Sequence, residues 1–260
     1  AGDQRQGEHN HQHRRLGERG DHHLAARTDA AEASADVQPG ERQQEARAAE
    51  QRDDGDHVGV AGGEYGAPGF IAAYDPETGR RLWRFSTVPA PGEKGSETWE
   101  ADSAQRGGAG VWVTGTYDPD LNLVYFGTGN PSPDFHGDDR EGDNLFSNSL
   151  LALDADTGAY RWHYQFTPHD VHDWDSTHVP VLADLPIRGQ ARKVVMVANR
   201  NGFFYTIDRT NGTPVWPIVE TPVPKGALPG EWYAPTQPIP SKPPAFGRQG
   251  TTERDLIDFT

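Results

Sequence analysis

Apolar and aromatic residues in this chain fall in short clusters cut by Gly, Pro, Asp and Asn, and no long stretch keeps the 3.6-residue period of an amphipathic helix. One eleven-residue pattern, A/T-x-D-x-x-T/N-G-x-x-x-W, occurs three times: AYDPETGRRLW (Ala73 to Trp83), ALDADTGAYRW (Ala152 to Trp162) and TIDRTNGTPVW (Thr206 to Trp216). Each copy follows an apolar run (Phe70 and Ile71; Leu150 and Leu151; Phe203 to Tyr205). Asp and Gly then turn the chain, and a second short run ends in Trp. This reads as strand, tight turn, strand. Between the first two copies, VWVTGTYDPDLNLVYFGTGN predicts another hairpin, with its turn at Tyr117 to Asp120. Short strands recurring every 50 to 80 residues or so predict an all-β chain of propeller blades rather than a sandwich. A Trp closing each repeat would wedge between blades, where a large flat ring buries most area. Residues from Pro222 to Phe246 are Pro-rich and polar, and predict a connecting excursion rather than a blade.

Composition divides the chain in two. From Ala1 to Asp56 there is no Phe, Tyr, Trp, Ile, Met or Lys, and Leu16, Leu24 and Val37 are the only sizeable aliphatics. Such a segment cannot bury enough apolar surface to offset its ordering entropy, and is expected to be a disordered tail. The abrupt change at His57, and a start on Ala, also fit a mistranslated or wrongly joined segment. His9, His11, His13, His22 and His23 follow no helical or strand period, so a solvated tail explains them better than a metal-binding tract. Residues 57–260 are expected to form the folded domain.

The formal net charge of -15 and pI near 5.1 argue against an electrostatic nucleic-acid binder. No run of about 18 apolar residues would span a bilayer. With Cys 0 there is no disulfide framework, thiol nucleophile or thiolate-bound zinc.

The densest chemistry lies in HDVHDWD, His169 to Asp175. Read alone it permits a His/Asp cluster gripping a transition metal, or a carboxylate placed as general base beside a hard cation. An EF-hand starting at Asp118 fails, because Leu123 stands at the required glycine position and Gly129 at the terminal glutamate position.

From about His57 to Thr260 the chain resembles the pyrroloquinoline quinone (PQQ)-dependent alcohol dehydrogenases, the methanol/ethanol dehydrogenase family of eight-bladed propellers with tryptophan-docking repeats. Besides the repeats, the resemblance is carried by GGEYGAPGFIAAYD, PAPGEKGSETW, GAGVWVTGTYDPDLNLVYFGTGNP, GDNLFSNSLLALDADTG, TPHDVHDWD and NRNGFFYTIDR, in the family's order. It implies an all-β, partial eight-bladed propeller of three or four blades, the central portion of an enzyme. It also implies metal ligands at Glu64 and Asn130, Trp112 as the floor under the planar quinone, Asp173 as catalytic base and a member of the metal shell, and Arg200 beside the reactive quinone carbonyl. Hard oxygen donors suit Ca²⁺. Asp175 stands where some members carry an extra carboxylate, whose charge favours a trivalent lanthanide. The imidazoles of His169, His172 and His178 read as support or surface groups.

A carboxylate is needed to take the hydroxyl proton as hydride leaves the alcohol carbon, and cations stabilise negative charge developing on the quinone. The sequence departs from the family in lacking the vicinal disulfide that covers the quinone, and in having Ala61 where Ser is frequent. The resemblance implies a periplasmic enzyme, free or membrane-associated, that oxidises a small primary alcohol and passes electrons to cytochrome c or membrane quinone. A sugar-oxidising quinoprotein is the alternative in the same class, since PVWPI and APTQPIPSKPP also resemble glucose-type relatives, although those tend to carry Lys at the place of Arg200. A non-catalytic propeller scaffold and a His/Asp zinc hydrolase are alternatives from other classes.

Overall fold

The structure, a computed structural model, describes residues 66–257 apart from 76, 227 and 228. Residues 1–56, Ala61 and Glu64 therefore lie outside the described residues. Eleven strands make four antiparallel sheets among the described residues. β1 (Phe70–Tyr74) pairs with β2 (Arg81–Ser86). β3 (Thr116–Asp118), β4 (Leu123–Gly127), β5 (Ser149–Asp154) and β6 (Tyr160–Gln165) form a four-stranded up-and-down sheet. β7 (Val181–Ile187), β8 (Gln190–Ala198) and β9 (Phe204–Asp208) form the next, and β10 (Ile218–Pro222) pairs with β11 (Thr236–Pro240). The remaining regular structure among the described residues is short 3₁₀ turns.

The four-stranded sheet is covered on both faces, which is why LVYFG and LLAL read as continuous apolar runs. Successive side chains point to opposite faces. Leu123, Tyr125, Leu150 and Ala152 pack with Val195, Val197, Tyr205 and Ile207 of the following sheet. Val124, Phe126, Leu151 and Leu153 face the other way, toward Ile71, Trp83 and Phe85 of β1 and β2. Stacked sheets of this kind are propeller blades.

The repeats act as fasteners between blades. In each, the aspartate carboxylate accepts backbone N–H groups of its turn: Asp75 from Glu77 and Thr78, Asp154 from Asp156 and Thr157, Asp208 from Thr210. The Gly four residues on takes a positive φ, 69° at Gly158 and 79° at Gly212. Trp83 Nε1 donates to Ala155 O at 2.9 Å, and Trp162 Nε1 donates to Arg209 O at 3.2 Å, which is the same repeat position one blade later. A Cβ on Gly158 would stand 2.5 Å from the Trp83 ring, and one on Gly212 2.8 Å from the Trp162 ring. Each Trp thus lies flat on the glycine of the next repeat.

Three sequence expectations need correction. The hairpin turn occupies 119–122 rather than 117–120, because strand pairing persists through Asp118 to Leu123 and Asn122 takes the left-handed φ of 52° that closes the turn. In the third repeat Trp216 ends no strand: Pro214 and Pro217 supply no N–H, and pairing with β9 shrinks to one bridge, Ile207 to Pro214. The Pro-rich stretch is not wholly an excursion, since β11 lies in it and returns to β10, with Ile218 and Ile239 packed on the core.

Candidate active site

β4 and β6 run in the same direction within their sheet, so the segments that follow them emerge at one edge. Thr128 to Asn130 leave β4 there, and the acidic run leaves β6 on its way to β7. Backbone hydrogen bonds join these segments: Asn148 N to Gly129 O at 2.9 Å, Ser176 N to Thr128 O at 3.1 Å, Gly129 N to Gly110 O at 2.8 Å and Ala109 N to Asn130 O at 2.7 Å. The turn after β8 joins through Asn199 Nδ2, which donates to Ser176 Oγ at 2.9 Å. Five of the six residues singled out from sequence meet here; Glu64 lies outside the described residues.

Asp175 is the hub. Its Oδ1 accepts Asn130 N–H at 3.1 Å, and its Oδ2 takes Arg200 Nη1 at 3.0 Å. Arg200 Nη2 lies 4.0 Å from Asp173 Oδ2, so the guanidinium bridges both carboxylates. Burial pushes the Asp175 carboxyl up to about 7, and the neighbouring Asp173 charge adds to it against the pull of the Asn130 N–H and Arg200. Asp173 itself sits at φ 57°, a left-handed conformation held by the loop around it.

Asn130 is buried, and its Nδ2 donates to Pro131 O at 3.0 Å and to Asp134 Oδ1. Both of these bonds are made by nitrogen, which tethers the amide and turns its oxygen away from them. Trp112 keeps 37% of its surface exposed. A Cβ on Gly129 would fall 2.6 Å from the Trp112 ring and 2.9 Å from Asp175 Oδ1, so only a glycine lets the indole and the carboxylate close over the same backbone.

Two adjacent carboxylates, one resisting ionisation, and a tethered amide oxygen form a hard-oxygen donor set that fits a divalent cation. Among the described residues no three His, Cys, Asp or Glu converge as metal ligands, and the acid the resemblance supplies as a further ligand is Glu64. The half-exposed indole beside them fits a planar, conjugated group.

The histidines divide by surroundings. His169 is buried, with Nδ1 2.9 Å from Gly142 O and Nε2 3.1 Å from Trp232 O, and burial, helped by Arg140, lowers it to about 4. His172 is exposed and stacks on Trp174 with ring centroids 4.6 Å apart. His178 is held low by burial and by Arg200.

Sequence reading did not single out Arg140, Asp134 or Asp170, which are all buried at this site. Arg140 lies in GDDREGD, which looks like a solvated charged loop, Asp134 stands just after Pro133, and Asp170, though inside HDVHDWD, is assigned no role by the resemblance.

Comparison with known proteins shows the family. Residues 54–260 match the PQQ family described as glucose/ethanol/alcohol dehydrogenase, beta-propeller domain. The chain belongs to this family of quinoprotein propellers. Over 189 residues it is 46% identical to the quinohemoprotein alcohol dehydrogenase ADH-IIG of Pseudomonas putida, an alignment covering 67% of this chain and 25% of the relative. The crystal structure of the quinohemoprotein alcohol dehydrogenase from Comamonas testosteroni superposes with a TM-score of 0.58 at 41% identity, covering 69% of this chain and 28% of that one. A europium-containing methanol dehydrogenase superposes with a TM-score of 0.57 at 31% identity, covering 70% and 34%. The chain thus spans about a quarter of the length of the curated relatives it matches.

Proposed function

We propose that this chain carries the metal and proton-transfer centre of a PQQ-dependent dehydrogenase that oxidises a small primary alcohol. One observation carries the reading: Asn130, Asp173, Asp175, Arg200 and Trp112, from two successive blades and the run before β3, stand together at one edge of the blades. Asn130 and Asp175, with Glu64, would hold Ca²⁺ or, given the extra charge of Asp175, a lanthanide; Asp173 adjoins that ion. Trp112 would stack beneath PQQ. PQQ, when bound, supplies the acceptor for the hydride of the alcohol carbon.

Asp173 accepts the hydroxyl proton, which requires it to be ionised and within hydrogen-bond reach of the substrate oxygen. Arg200, with Nη2 4.0 Å from Asp173 Oδ2, would orient that carboxylate toward the substrate. Arg200, which now pairs with Asp175, would supply positive charge where negative charge develops on the acceptor. The names of the relatives support an alcohol rather than a sugar. They also support a cytochrome-type electron acceptor, and a periplasmic setting would follow from that chemistry.

The reading is tested by alcohol-driven reduction of an artificial acceptor, with the protein supplied with PQQ and Ca²⁺. Reduction by a primary alcohol, absent when PQQ or metal is withheld, is expected. Reduction by glucose alone, or reduction independent of PQQ, would overturn it.

A further inference from the structure

Resting on the site proposed above, we infer that Arg140 is a positioning residue that locks the amide ligand and the acidic run into one constellation. Arg140 is fully buried, and the hydrogen bonds its guanidinium makes among the described residues run to carbonyl and amide oxygens, with the Asp170 and Asp134 charges nearby. Its donors go instead to loop acceptors. Nε donates to Pro133 O at 2.9 Å, Nη1 to Asn144 Oδ1 at 2.9 Å, and Nη2 to Asp134 O at 3.0 Å and Asp170 O at 2.6 Å. Burying a guanidinium is costly, so a fork whose described bonds go to main-chain and amide oxygens fixes geometry at the expense of stability.

Two of these contacts lead to the site. Asp134, gripped through its carbonyl, uses its carboxylate to tether Asn130 Nδ2. Asp170, also gripped through its carbonyl, is buried and folds the acidic run around its own carboxylate. Oδ1 accepts His172 N–H at 2.8 Å, while Oδ2 accepts Trp174 N–H at 2.7 Å and Asn148 Nδ2 at 3.0 Å. The residues on either side of Asp173 are thereby pinned, which holds Asp173 at its positive φ with Asp175 beyond it. One guanidinium thus spans the loop bearing Asn130 and the loop bearing both aspartates. A lysine cannot reproduce this, having three donors on one atom rather than a planar fork.

Terbium(III) provides the test, because tryptophans 112 and 174 stand at the site and can sensitise its luminescence without PQQ or turnover. In the full chain, Arg140→Lys should raise the Tb³⁺ dissociation constant about tenfold or more, the usual cost of losing support behind a metal ligand. Asp170→Asn should act in the same direction, and carries the comparison if Arg140→Lys does not fold. The control is Arg209→Lys, another buried arginine, which pairs with Asp118 and Asp184 away from this edge. It should lower the melting temperature and leave the Tb³⁺ constant unchanged. If Arg140→Lys and Asp170→Asn shift Tb³⁺ binding no more than Arg209→Lys does, the positioning role is wrong. If Asn130→Ala and Asp175→Ala also leave Tb³⁺ binding unchanged, the site itself is misplaced and the inference falls with it.

Discussion

At the scale of single residues, the site concentrates groups that would oppose folding in the absence of a cation. Asp173 and Asp175 sit side by side, Asp175 is held up near 7 by burial, and Arg200 compensates both only in part. Glu64→Ala should therefore raise the Ca²⁺ concentration needed for activity, measured by titrating metal into the apoprotein at saturating PQQ; an unchanged requirement would remove Glu64 from the ligand set. Asn130, Trp112, Asp173, Asp175 and Arg200, which the structure brings together, were singled out in the sequence because each lies in a motif that carries the family resemblance, such as GTGNP or NRNGFFY, while Glu64 lies outside the described residues. Arg140 and Asp170 were not, because their meaning depends on burial. Nothing in GDDREGD separates a buried guanidinium bonded to carbonyls from a solvated one.

At the scale of strands and turns, the repeat specifies both a hairpin and its attachment to the next blade. Gly158→Ala should lower stability by about 1–3 kcal/mol, since the methyl meets the Trp83 ring and the backbone there is left-handed. Thermal melting would check this, and an unchanged midpoint would show that Trp83 does not dock as described. On β6, His163 is held at about 4, against an ordinary 6.5, by burial and then by Lys94. The unfolded chain takes up this proton first, so the stability it contributes is full above 6.5 and is lost as pH falls toward 4. The loss is about 3 kcal/mol at most. His163→Gln should flatten the fall in melting temperature across that window, leaving the part due to His169. Strand positions were readable because β-branched and aromatic clusters alternate with Asp and Gly. The return arm of the third repeat was not, because a motif scored on its Asp, Gly and Trp is blind to Pro214 within it.

At the scale of the whole molecule, blades are joined by more than apolar burial. Arg209 lies between sheets: its guanidinium binds buried Asp118 on β3 and Asp184 on β7, while its carbonyl accepts Tyr125 Oη at 2.9 Å and the docked Trp162. Arg209→Leu would strand Asp118 without a counterion and should cost about 3–5 kcal/mol in denaturant unfolding. A loss under 1 kcal/mol or so would mean that the pair contributes no more than a surface bridge.

The stacking of two blades brings Asn130, the acidic run and Arg200 to one edge, so the proton acceptance, metal binding and quinone stacking proposed for them would depend on a single assembled unit. The most direct test of that unit is Asp173→Asn in the protein loaded with PQQ and Ca²⁺. PQQ should remain bound, as read from its absorbance after gel filtration, while alcohol turnover falls by about two orders of magnitude or more, as when a general base is lost. Near-normal turnover with PQQ bound would contradict the assignment of Asp173 as the base.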